Sequence, residues 1–154
     1  MRARSDYYHV HRSEGKNVAE ETLTVGNPII IPQDSPNGRY SAFFEDEGET
    51  GYFYAVDFSL SADSIVDAVH IYNVADVVDR DKPSQVKIVW SDDGMKCALL
   101  INNYPHATFD FGLRRGYCRT NFPNFDNPKD GSWIKADHAW SGDAVSWLGR
   151  TESR

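Results

Sequence analysis

The sequence predicts a mainly β domain of α+β type. Its centre is a curved antiparallel sheet of about six or seven strands, a sandwich or partly open barrel, with a short C-terminal helix. Three observations predict it. Apolar residues alternate with a period of two along 52–60 and 86–90. Turn signals rich in Gly, Asp, Asn and Pro punctuate the chain at short intervals. The chain is 13% aromatic, with four Trp, eight Tyr and eight Phe to fill a core between strands.

The elements follow in order. Residues 1–21 are polar and mixed in charge, with Tyr7, Tyr8, Val10 and Val18 as their apolar anchors, and read as a flexible N-terminal segment. A single globular domain is expected over 22–148. Thr22–Val25 and Ile29–Ile31 read as short strands around the turn Gly26-Asn27-Pro28. The turn-rich loop 32–38 leads to a strand over Arg39–Glu45. The acidic turn Asp46-Glu47-Gly48-Glu49-Thr50-Gly51 joins it in a hairpin to Tyr52–Leu60. In that second arm Tyr52, Tyr54, Val56, Phe58 and Leu60 share one face, and Phe53, Ala55, Asp57 and Ser59 the other.

The stretch 65–74 fits two patterns. Asp63 or Ser64 could cap a helix, but Ile65, Val66, Val69, Ile71 and Val74 are β-branched and favour a strand. A charged loop over 79–84 follows. Val86, Ile88 and Trp90 then alternate up to Ser91-Asp92-Asp93-Gly94, and Lys96–Asn102 returns, a strong hairpin mark. Tyr104-Pro105 interrupts the ladder, because proline has no N–H to give. Ala107, Phe109 and Phe111 mark another strand, and 112–119 a further arm. Residues 121–132 read as irregular structure pinned by Phe122, Phe125 and Trp133. Ser141 is positioned to cap a short helix over 142–148, and 149–154 read as a frayed tail.

With 154 residues the chain can bury one core without disulfides or metal. Its N-terminus has no apolar run after the arginines, and its longest apolar runs fall far short of a membrane span. Two cysteines, Cys97 and Cys118, fit a reduced cytoplasm better than a disulfide framework. The net charge of −7 argues against nucleic-acid binding. The acid is concentrated. From Asp34 to Asp81 there are eleven acidic and two basic residues, a balance of −9, so the rest of the chain carries +2.

Several runs are distinctive: Phe44-Glu45-Asp46-Glu47-Gly48-Glu49-Thr50-Gly51-Tyr52-Phe53-Tyr54-Ala55, Asp67-Ala68-Val69-His70-Ile71-Tyr72-Asn73-Val74 and Trp90-Ser91-Asp92-Asp93-Gly94. Tyr104-Pro105-His106-Ala107, Arg115-Gly116-Tyr117-Cys118-Arg119 and His138-Ala139-Trp140 complete the set. Over Thr22 to Leu148 the chain resembles a bacterial family of uncharacterised proteins, domain of unknown function 2251. That resemblance implies a small cytoplasmic bacterial protein and carries over no catalytic residue.

The constellations that could carry chemistry are few. Glu45, Asp46, Glu47 and Glu49 sit on a hairpin tip and, with Tyr52 and Tyr54, form a candidate surface for a basic protein partner. The competing and stronger reading is a solvated face with acidic turns, which keeps the protein soluble. The tip lacks the spacing of a calcium loop, and the chain has neither H-E-x-x-H nor C-x-x-C, so no metal is expected. His70, His106, Asp110 and Cys118 are a second candidate group, a pocket in which a histidine next to a carboxylate would act as base. Arg115 and Arg119 flank Cys118 and would favour its thiolate. The competing reading is a polar sheet face plus one satisfied core histidine. Arg114, Arg115, Tyr117 and Arg119 form a local basic strip, read as a counterpart to the acidic half rather than to phosphate. No nucleophile elbow, phosphate loop or dinucleotide motif is present, so no catalytic residue or cofactor is assigned.

The expected function is therefore a non-enzymatic protein-binding domain, of the kind that neutralises a toxin or another basic partner. The alternatives are a small enzyme or ligand-binding domain using the His/Asp pocket, and a nucleic-acid mimic that blocks a nuclease. Edge pairing into a homodimer is compatible with such a sheet.

Overall fold

The computed structural model describes residues 18–60, 65–120, 133–134 and 137–149. The expectations for the N-terminal segment before Val18, the 63–64 helix cap, the irregular stretch 121–132 and the tail after Gly149 lie outside them.

The described residues hold nine strands: β1 (Val18–Leu23), β2 (Ile29–Asp34), β3 (Tyr40–Asp46), β4 (Thr50–Asp57), β5 (Ile65–Asn73), β6 (Ser84–Trp90), β7 (Lys96–Ile101), β8 (Tyr104–Asp110) and β9 (Arg115–Cys118). All neighbouring strands are antiparallel, in a five-stranded sheet of order β1-β6-β7-β8-β9 and a four-stranded sheet of order β2-β3-β4-β5. The fold is mainly β, as expected, with more strands than the six or seven anticipated. The turn around Gly26 sends β1 and β2 to different sheets, and the four residues of β9 form a strand of their own. β1 also begins before the domain boundary expected at Thr22, because Val18 is already opposite Val89.

Two sheets must each bury one face, and they do so against each other. Phe44, Phe53, Val69 and Ile71 of the four-stranded sheet meet Ile88, Trp90, Leu99 and Phe109 of the five-stranded one. The Trp90 indole N–H crosses between sheets and donates to the Gln33 carbonyl at 2.9 Å, which satisfies the one polar atom of that ring.

Both outer faces are packed as well. Phe43, Tyr54, Val56 and Ala68 cluster outside the four-stranded sheet. The alternation read in β4 holds, but Phe53 and Ala55 face the core between the sheets while Tyr52, Tyr54 and Val56 face outward. Outside the five-stranded sheet, Trp147 and Leu148 cover Val89, Ala98 and Leu100.

The expected C-terminal helix is only a 3₁₀ turn, Gly142–Val145. Ser141 precedes it in an extended conformation and makes no side-chain cap. So short a segment cannot offset helix nucleation, and docking of Trp147 and Leu148 holds it instead. The stretch 65–73, open to two readings, is strand, with an irregularity where Val66 is squeezed between Ile65 and Asp67. The Asp93-Gly94 hairpin forms as expected: Asp93 Oδ1 accepts from the Ser91 hydroxyl at 2.7 Å and the Met95 N–H at 3.0 Å. Pro105 is absorbed into β8 at a register shift opposite Leu100 rather than ending the ladder.

Candidate functional site

The acidic hairpin tip divides into exposed and buried carboxylates. Asp46 is fully buried. Its Oδ2 accepts from the Tyr72 hydroxyl at 2.7 Å and the Gly26 N–H at 2.8 Å, and its Oδ1 from the Gly48 N–H at 2.8 Å. Asp46 therefore ties three segments together and is not available to a partner. Tyr72 packs over Gly51, where a Cβ would lie 2.6 Å from the ring, so this approach needs glycine. Burial raises the Tyr72 pKa well above the usual phenol range, and the hydrogen bond and charge of Asp46 raise it further.

Glu47 and Glu49 are exposed. Glu47 also orders its own turn, accepting from the Glu49 N–H at 2.9 Å and the Thr50 N–H at 2.7 Å. Desolvation pushes its carboxyl up, but the hydrogen bonds from Thr50 and Glu49 together outweigh this, so it titrates below the usual range.

The β3–β4 turn is joined to the β5–β6 connection by the Val74 N–H, which donates to the Glu49 carbonyl at 2.8 Å. Exposed Asp76 thus lies at the same end of the sandwich as Glu47 and Glu49, and exposed Asp79 and Asp81 follow in the connection. Val78, between Asp76 and Asp79 in sequence, is 82% exposed.

Glu45, Tyr52 and His70 are brought together. Register aligns them side by side on β3, β4 and β5, and the Tyr52 and His70 rings stack at 4.7 Å. Tyr54 is buried in the same outer cluster, stacked on Phe43 at 4.6 Å.

The side chains of the four residues read as a pocket do not converge on one site, although Cys118 touches the His70 backbone. His70 faces outward from the four-stranded sheet, with its Nε2 3.1 Å from the Tyr72 carbonyl. His106 and Asp110 alternate with Ala107 and Phe109, which face the core, and so lie on the outer face of the other sheet. Burial, then the charge of Arg119, lowers the His106 pKa below its usual value. Asp110 accepts from the Leu113 N–H at 3.0 Å. Cys118 is buried in the core, its thiol 3.5 Å from the His70 carbonyl, an oxygen that also accepts from the Thr120 hydroxyl at 2.6 Å. Burial pushes the Cys97 thiol well up, which keeps it protonated and inert. Among the described residues, no group of three or more His, Cys, Asp or Glu could hold a metal ion. No helix there is long and apolar enough to cross a membrane.

The polar pair that sequence reasoning missed is Asp67 with His138. His138 Nε2 lies 2.9 Å from Asp67 Oδ2, and the two side chains are 2% and 1% exposed. Asp67 comes from β5, and His138, like Ile134, lies against the outer edge of β9. There the Ile134 N–H donates to the Arg114 carbonyl, and the Cys118 N–H to the His138 carbonyl, each at 2.9 Å. An acid inside the apolar run Ile65-Val66-Asp67-Ala68-Val69 was the available signal, since such an acid needs a partner. Both groups are too enclosed to meet a substrate, and their role is to hold the residues around His138 over the seam between β5 and β9.

Among the described residues, no ion pair joins the arginines of the basic strip to the acidic half. The Arg115 guanidinium lies over Tyr117 at 5.1 Å and 3.7 Å from Asp137. Arg119 is clamped between two rings, 4.3 Å from Tyr104 and 4.0 Å from Trp140.

Residues 23–148 match the model of a family described as an uncharacterised protein conserved in bacteria, DUF2251. An uncharacterised protein of Haemophilus influenzae is 37% identical over 131 residues, covering 84% of this chain and 80% of the relative. No solved structure matches. On these grounds the chain belongs to the bacterial DUF2251 family.

Proposed function

We propose that the protein is a non-enzymatic binding domain that engages a basic protein partner, in the manner of an immunity or inhibitor protein, through the acidic end of its sandwich. The observation that carries this reading is Val78, 82% exposed, on the same connection as Asp76, Asp79 and Asp81 and at the same end as Glu47 and Glu49. An exposed apolar anchor on a connection carrying three exposed aspartates gives a contact point together with electrostatic steering of a cationic surface. Arg80 and Lys82 lie in the same connection, and the Arg80 guanidinium donates to the Val74 carbonyl at 3.0 Å, shaping the loop from within.

Capture from the native cell tests it, with the full chain as bait beside two variants, Glu49→Lys/Asp76→Lys and Val78→Asp. The expected result is one stoichiometric basic protein held by the natural chain, released by added salt, and lost from both variants. A partner retained equally by both variants, or no stoichiometric partner at all, would overturn the reading.

A further inference from the structure

Arg119 closes β9 on the outer face of the five-stranded sheet. Its N–H donates to the His106 carbonyl at 3.1 Å. Its Nε–H donates to the Pro105 carbonyl at 2.6 Å. Its guanidinium carbon lies over two rings, 4.3 Å from Tyr104 and 4.0 Å from Trp140, and the His106 ring meets Tyr104 edge-on at 5.5 Å. A guanidinium held this way has already lost most of the freedom that binding would otherwise cost it. Yet Arg119 is exposed, Tyr104 is 53% exposed, and among the described residues no carboxylate pairs with this cation.

The clamp decides what the cation can bind. Two rings already lie against it, which leaves little room for a nucleobase or further ring to stack. What is left is the planar edge of its two terminal nitrogens, a fork that matches two oxygens of one acceptor. A polyanion is disfavoured by the net charge of −7, which repels it at a distance. We propose that Arg119, clamped by Tyr104 and Trp140, is a preformed recognition point for a single oxyanion, the carboxylate or phosphate group of a small ligand. It is separate from the acidic end and stands whether or not that end binds a protein.

Titration of the ¹⁵N-labelled full chain tests this, following the Arg119 Nε–H and Trp140 indole signals with inorganic phosphate in one arm and acetate in the other. Both signals should move together and saturate, and the arm that saturates first identifies the preferred group. Arg119→Lys keeps the charge but loses the fork, and should weaken binding about tenfold on the scale of a charge-assisted bidentate contact. Tyr104→Ala opens one face of the clamp at an exposed position and should weaken it too, so the test survives if the lysine variant folds poorly. Arg39, which lies over the single ring of Tyr40 at 5.2 Å, is the internal control. Shifts at Arg119 that rise linearly and match those at Arg39, or variants that titrate like the natural chain, would overturn the proposal.

Discussion

His138 Nε2 sits within 3.0 Å of both carboxylate oxygens of Asp67, at a seam where two sheets meet and water is excluded. This pair fastens the segment carrying His138 over the edge of β9, with Trp133 of the same segment buried in the core. An open strand edge invites pairing with another chain, and the segment covers this one.

Removing either partner strands the other in the interior. Asp67→Ala and His138→Ala should each cost about 3 kcal/mol, the usual cost of breaking a buried pair. The double variant should cost clearly less than the two together, because the groups act on each other. Urea unfolding of the three variants measures it, and strict additivity would show that the contact carries no coupling.

Gly116 marks how tightly β9 approaches β5. A Cβ there would lie 2.8 Å from Asp67 Oδ2 and 2.8 Å from the Phe109 ring. Gly116→Ala should therefore destabilise the fold by about 1–3 kcal/mol, the range for overpacking. At Gly142 a Cβ meets nothing within 4 Å, so Gly142→Ala should change the midpoint little. Equal midpoints for the two variants would contradict the close approach.

Tyr72 gives the alkaline limb of stability a specific origin. Its pKa is raised in the fold by burial and then by Asp46, so the native state holds the phenol proton where the unfolded chain releases it. The contribution is fully present below the ordinary value of 10.0 and is lost as pH rises above it. Tyr72→Phe should flatten that loss. At neutral pH it should cost about 1–2 kcal/mol, since Asp46 Oδ2 gives up one of its donors. Denaturant midpoints at pH 7 and above 10 would decide it, and an unchanged alkaline slope would remove Tyr72 from the account.

The sequence by itself determined the class of fold and most of its strands. Period-two alternation is a local property, and Asp93-Gly94 or the glycines around Glu49 signal turns within a few residues. One further turn was legible and not read: Asn102 and Asn103, both with positive φ, make the two-residue connection from Ile101 to Tyr104. Asparagine adopts that backbone more readily than most residues other than glycine. Sequence also located the excess acid between Asp34 and Asp81. The tertiary structure decided how that acid is used, keeping Asp34, Asp46 and Asp67 inside while Glu47, Glu49, Asp76, Asp79 and Asp81 stay out. It also turned the side chains of His70, His106, Asp110 and Cys118 away from any common site, joined Asp67 to His138, and set Arg119 against Tyr104 and Trp140. The reason is physical. Alternation assigns a side chain to one of two faces, but which face meets the other sheet, and which distant residue closes over it, depends on how the whole chain buries its apolar surface.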